Sequence, residues 1–217
     1  MIVMDIILRP EQPSDYRATE NLTREAFWNR YSPGCDEHYL LHIMRDCPAF
    51  VPELDFVAEL NGKIIGNVVY VKSVIKTFDG AEHEVLGLGP ISVLPQYQCK
   101  GIGRRLIEHT KTLARSMGYP AIFLYGDPAY YSRFGFEAAE TLDIRTHDNM
   151  YHNALQVCEL RDNALSGITG CYNEPSVYKV DAEKAADFDK AFPPKEKVSG
   201  TPTQQRFNEL VVQSRKA

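Results

Sequence analysis

"ISVLPQYQCKGIGRRLIEHTKTLARSMGYPAIFLY", residues 91 to 125, contains an apolar run, two closely spaced glycines, an amphipathic stretch and a second apolar run. Ile91 to Leu94 reads as the end of a strand. From Ile102 the apolar positions Leu106, Leu113 and Met117 recur at helical spacing until Gly118 closes the pattern, and Ala121 to Tyr125 reads as a short buried strand. A strand, a helix and a strand joined this tightly predict a parallel pair, because parallel neighbours need a crossover connection. The glycines therefore stand at a strand-to-helix junction. The first turn of a helix leaves backbone N–H groups without partners, and Gly101 and Gly103 present no β-carbon to an approaching anion. The junction suits a phosphate, but the glycines alone do not say which. A dinucleotide fingerprint needs a third glycine where Leu106 stands, and the chain has no G-x-x-x-x-G-K-[ST] loop. On this evidence a tight turn without a ligand stays open.

Upstream, "DFVAELNGKIIGNVVYVKSVI" (residues 55 to 75) reads as two strands joined by Asn61-Gly62, a strong hairpin signal. A turn at Asp79-Gly80 leads to a third strand, residues 82 to 94, so an antiparallel meander feeds the parallel pair and the sheet is mixed. Gly87, Gly89 and Pro90 interrupt that strand and predict a splay there. Residues 2 to 9 read as a first strand, followed by a helix with Tyr16, Thr19, Leu22 and Ala26 on one face and a second helix from Glu37 to Arg45. Downstream, residues 154 to 160 and 178 to 180 read as strands, and Asp181 caps a helix over 182 to 192. Thr201-Pro202-Thr203-Gln204 fits a capping box that opens a last helix, with Phe207, Leu210 and Val211 as its apolar stripe. The expected organisation is a core over 1–140, an extension of the same domain over 141–197, and a linker with a C-terminal helix over 198–217.

The chain has 217 residues, 44% hydrophobic and 24% charged, with a net charge of −5, a balance that argues against nucleic-acid or anionic-membrane partners. The start, MIVMDIILRP, has no basic region before its apolar stretch, and no run is long enough to span a bilayer. The five cysteines are odd in number, widely spaced and free of C-x-x-C pairs, which fits reduced thiols in a cytoplasmic protein.

Gln98-Cys99-Lys100-Gly101-Ile102-Gly103, in this order of elements, resembles the loop [Q/R]-x-x-G-x-[G/A] of the GNAT superfamily of acyl-CoA-dependent N-acetyltransferases. Tyr131-Ser132-Arg133-Phe134-Gly135-Phe136 is similar to that family's Y-x-x-x-G-F segment, and "GDPAYYSRFGF" with "FPPKEK" resembles its YhbS-like bacterial subgroup. The resemblance covers about residues 5 to 140 for the core and reaches, less specifically, to about residue 197. It implies an α/β (α+β) GNAT fold, splayed around its fourth and fifth strands. It also implies an enzyme that transfers the acetyl group of acetyl-CoA directly to a primary amine of a small molecule or of a protein or peptide. The turn Gln98, Cys99, Lys100, Gly101, Ile102, Gly103 and Arg104 would hold the coenzyme's pyrophosphate, with Lys100, Arg104 and Arg105 adding positive charge. Ile91, Ser92 and Val93 would pair with the amides of the pantetheine arm, and Tyr131 would protonate the departing thiolate.

A general base is not identifiable from the pattern. Glu84 and Asp127 are candidates, each equally readable as a surface or capping carboxylate. His38 and His42, near Glu37, Cys35 and Cys47, lack a second ligand pair at zinc spacing and read as part of an ordinary helix; no metal is expected. His109 reads as a surface or satisfied residue, Cys99 as a small side chain at a variable position, and Phe27, Trp28 and Tyr31 as pocket wall or core. A non-catalytic acyl-CoA-binding module and a nucleotide site at the same junction are the competing functions. Dimerisation is left open.

Overall fold

The computed structural model describes residues 5–216. β1 (Ile6–Pro10) is followed by α1 (Tyr16–Phe27) and α2 (Glu37–Met44), then by the meander β2 (Phe56–Leu60), β3 (Lys63–Thr77) and β4 (Glu82–Val93). α3 (Ile102–Ser116) crosses to β5 (Ala121–Tyr125), and the one-turn helix α4 (Pro128–Tyr131) leads to the short strands β6 (Glu137–Ala138), β7 (Ile144–Arg145) and β8 (Met150–His152). β9 (Leu155–Glu159), β10 (Gly170–Asn173), α5 (Ala182–Asp189), α6 (Pro202–Val211) and β11 (Ser214–Lys216) complete the chain. The main sheet runs β1-β2-β3-β4-β5-β9-β6, with β10 pairing the far end of β3. β4 and β5 are parallel and the meander is antiparallel, so the sheet is mixed as expected. No helix among the described residues is long and apolar enough to cross a membrane.

Local chemistry accounts for most of these elements. Asn61 and Gly62 both take positive φ, 52° and 76°, the pair of values a two-residue hairpin turn needs to match strand twist. Along β3, side chains alternate between faces. Tyr70 turns to α3, where its hydroxyl meets Thr110 at 2.7 Å. Val69 and Val71 turn to α2, against Leu40, Leu41 and Met44. Gly66 lets α3 come close: a β-carbon there would stand 3.1 Å from both Ile102 Cγ2 and Leu106 Cδ1.

Between Val68 and Tyr70 the register of β3 against β4 shifts. Val68 faces Ile91 and Tyr70 faces Leu88, so the single residue Val69 stands opposite two, Gly89 and Pro90. This is a bulge in β4. Pairing of β4 with β5 covers only Leu86 and Gly87 and then stops. The splay expected at Gly87, Gly89 and Pro90 lies at this place.

Several expectations beyond residue 140 need correction. Residues 178 to 180 are not a strand; Ser176–Tyr178 form a 3-10 turn begun by Pro175, and the Tyr178 hydroxyl donates to the Gly89 carbonyl at 2.9 Å. β7, β8, β10 and β11 were not anticipated, and α5 stops at Asp189. Asp181 does cap α5, accepting from the N–H groups of Glu183 and Lys184, and Thr201 with Gln204 forms the expected capping box of α6. Phe207 stacks on Tyr31 at 4.9 Å and Leu210 is buried. The side chain of Val211, and residues 2 to 4 of the expected first strand, lie outside the described residues.

Because α3 follows the glycine turn, its seat on β3 should be measurable. Gly66→Val would force Ile102 and Leu106 outward. The unfolding free energy from urea titration is expected to fall by about 1–3 kcal/mol, the usual cost of overpacking a tight contact.

Candidate active site

β4 beyond the bulge presents an unpaired edge. The Leu94 N–H donates to the Ile65 carbonyl at 3.0 Å, so in the antiparallel alternation Ser92 also turns its backbone to β3, opposite Asn67. Ile91 and Val93 turn theirs the other way, toward the side β5 has left. There the Ile91 N–H and C=O and the Val93 N–H meet no backbone partner among the described residues. The Val93 carbonyl accepts from Gln98 Nε2 at 3.0 Å. Ser92 thus differs from its neighbours: its hydroxyl is buried and donates to Thr23 Oγ1 of α1 at 3.0 Å.

The open edge runs into the glycine turn. Cys99 and Gly101 both hold positive φ, 59° and 82°, and this left-handed geometry folds the turn back over the start of α3. Gly101 is the residue before the helix, and no side chain caps it. The N–H groups of Ile102, Gly103 and Arg104 therefore begin α3 without intrahelical partners, the arrangement that binds anions at helix N-termini. The Ile102 side chain is buried in the main core, so it contributes through its backbone. Arg104 is exposed and its side chain makes no hydrogen bond to a described residue, leaving it free to meet a phosphate. Lys100 donates to the Gln96 carbonyl at 2.8 Å beside the Tyr97 ring. Arg105 is turned away, donating to the Ile6 carbonyl of β1 at 2.7 Å. Gln98 is likewise a clip between loop and strand.

α4 closes the far side. A β-carbon at Gly103 would stand 3.2 Å from the Tyr130 hydroxyl, so Tyr130 reaches the phosphate turn. The half-buried ring of Tyr131 packs on the α3-side core at the end of β5, with Phe134 and Phe136 at 6.4 and 5.8 Å. A β-carbon at Gly126 would overlap that ring. The Tyr131 hydroxyl makes no hydrogen bond to a described residue, and burial, helped by the nearby Tyr31 and Tyr130, raises its pKa well above the ordinary tyrosine value. It is held in its protonated form.

The two carboxylates considered for the base are occupied. Asp127 caps α4 by accepting the Ala129 N–H and forms a two-point ion pair with Arg206 of α6, which lowers its pKa. Glu84 is exposed and 3.5 Å from Lys72. His38 is buried 3.0 Å from Asp189, His42 lies 2.9 Å from Glu20, and His109 packs edge-on against Phe56. Tyr31 packs against Phe27 and Phe207, and the Trp28 indole donates to the Glu196 carbonyl.

The comparisons with known proteins agree with this geometry. Residues 53–138 match the model of the acetyltransferase (GNAT) domain. The uncharacterized N-acetyltransferase YhbS of Escherichia coli K12 is 31% identical over 165 residues, 76% of this chain and 93% of that one. The crystal structure of Escherichia coli YhbS in complex with CoA superposes with a TM-score of 0.73 at 29% identity, covering 83% of this chain and 95% of that one. A GNAT family acetyltransferase from Brucella melitensis in complex with acetyl-CoA gives a TM-score of 0.64 at 27% identity, covering 81% and 99%. The chain belongs to the GNAT family of N-acetyltransferases.

The left-handed turn should be sensitive to a side chain even where space is open. Gly101 has nothing within 4 Å of a β-carbon position, so Gly101→Val creates no clash. It does force a branched residue to positive φ, at a cost of roughly 1–2 kcal/mol. Calorimetric titration is expected to show CoA binding weakened about tenfold as the turn relaxes.

Proposed function

We propose that this protein transfers the acetyl group of acetyl-CoA directly to a primary amine of a small molecule or peptide. The observation that carries the reading is the continuous path from the unpaired edge of β4, through the uncapped start of α3, to the unbonded hydroxyl of Tyr131. Ile91 and Val93 would pair with the pantetheine amides as an added strand does. The N–H groups of Ile102, Gly103 and Arg104, with the Arg104 side chain, would hold the pyrophosphate. A free N–H of β4 would steady the oxyanion that forms as the amine attacks. Tyr131 then gives its proton to the departing sulfur. All five cysteines stand as free thiols, as a reducing compartment leaves them, and we place the reaction in the cytoplasm.

Acetyl-CoA turnover, followed as free thiol across a panel of amines and peptides, identifies the acceptor. Tyr131→Phe is expected to lower kcat by about 10²-fold or more while the CoA dissociation constant stays put, the pattern of a lost general acid. Unchanged turnover in that variant sinks the acid role. A protein that binds acetyl-CoA but acetylates nothing is the non-catalytic module.

A further inference from the structure

α1 crosses one face of the sheet from its edge toward its middle. Asp15, just before the helix, pairs with Arg9 of β1, and Thr23 meets Ser92 of β4 at 3.0 Å. Eight residues of helix rise about 12 Å, close to the three strand spacings of about 4.8 Å that separate β1 from β4. α1 continues for one more turn to Phe27, so its end and the loop after it overhang the side of β4 that β5 has left. α4 stands across that gap, at the end of β5.

The C-terminal segment joins these two lips. Asn29, just past α1 and at a positive φ of 60°, is the anchor on one side. Its carbonyl accepts from Thr201 Oγ1 and Gln204 Nε2, both at 3.1 Å, and its side-chain oxygen accepts the Gly34 and Val198 N–H groups at 2.8 and 3.1 Å. Gln204 is buried and donates to the Val198 carbonyl as well, at 2.9 Å. On the other side Arg206 holds Asp127 at two points, 3.0 and 3.2 Å. Next to it Phe207 lies on Tyr31, whose hydroxyl is near enough to those of Tyr130 and Tyr131 to bear on both. The segment then passes the end of β5: Gln213 bonds Asn153 through backbone and side chain, and β11 pairs with β8.

The two attachments differ in firmness. The one at Asn29 is bonded at several points around a buried glutamine. Asp127 and Arg206 are partly exposed, and β11 is a three-residue strand exposed throughout. Exposed ion pairs contribute little, and short exposed segments open at low free energy.

We propose that residues 198–216 form a strap over the open end of the gap between β4 and β5, hinged at Asn29 and latched at Asp127, that gates exchange of the coenzyme. A pantetheine arm bonded to Ile91 and Val93 lies in that gap. The closed strap holds the arm against the sheet, and the charged, bulky nucleotide end of CoA does not pass beneath it. Entry and exit therefore wait for Arg206 to leave Asp127 and α6 to swing about Asn29. A gate of this kind slows both rates and leaves the equilibrium constant to the bed. Release of free CoA after transfer then waits on the latch, as it waits on lid opening in many enzymes.

The inference rests on the transferase reading, but CoA itself is the probe and no acceptor is needed, so the two fail separately. The full chain carrying Gln204→Ala and Arg206→Ala is compared with the wild type. Rapid mixing with labelled CoA, followed by a chase with unlabelled CoA, is expected to show association and dissociation both faster by about tenfold, with the dissociation constant unchanged. Arg206→Lys, which keeps one bond to Asp127, is expected to fall between. Hydrogen exchange of the α6 amides is expected to speed up in the paired variant; amides that exchange no faster overturn the assignment of hinge and latch. Wild-type rates in a variant whose α6 does exchange faster overturn the gate. Tighter CoA binding with an unchanged dissociation rate makes the segment a block to binding, and overturns the gate too. A wild type that binds neither CoA nor acetyl-CoA fails the transferase reading, and the gate with it.

Discussion

Val69 stands opposite both Gly89 and Pro90, and the rest of the site depends on that mismatch. The extra residue lets Leu88 and Ile91, three positions apart, share the face of β3 that carries Tyr70 and Val68. The strand keeps an apolar side chain toward α3 on both sides of the bulge. At the same place β5 stops pairing, so the groups that would have bonded it are left for a ligand. A strand that continued in register would have closed its own edge, and no bed for an amide-bearing ligand would exist.

The open edge of β4 and the turn before α3 present mainly backbone. Gln98 clips the loop to Val93, Arg105 ties α3 to β1, and the Ile102 side chain anchors the turn in the core. Each fixes geometry while the N–H groups face outward. With no side-chain cap at Gly101 and no carboxylate bonded to the first turn of α3, the helix dipole and its free donors are left to an anion. Three of the four cationic or amide side chains at the junction thus support the loop, and Arg104 alone among them is free to touch a phosphate.

What could be read from the sequence was local. The Asn61-Gly62 hairpin, the amphipathic period of α3, the two glycines and the capping box at Thr201 all act within a few residues, and each lies where its pattern put it. β10 was missed because Gly170 and Asn173 are poor strand formers; its reason to be a strand is the far end of β3, distant in sequence. A carboxylate becomes a candidate base only through what surrounds it. By the same reasoning Asp127 and Glu84 looked available until Arg206 and Lys72 were seen to hold them. Ser92 shared a run with Ile91 and Val93, yet alternation turns its backbone into the sheet.

The adjacent tyrosines of α4 reach two separate parts of the site. Neighbouring side chains on a helix diverge by roughly 100°. Tyr130 accordingly reaches Gly103 at the start of α3, while Tyr131 packs over Gly126. A turn this short cannot hold itself in place, and it is fixed from outside by Asp127 at its start and Arg206 beyond it. That ion pair is partly exposed and contributes little alone, roughly 0–1 kcal/mol. It gains direction from the capping box that starts α6 and from Phe207 on Tyr31, so the C-terminal helix, α4 and the loop after α1 position one another. Tyr131 is thereby oriented by the C-terminal helix, although the motif that singles it out lies wholly within residues 131 to 136.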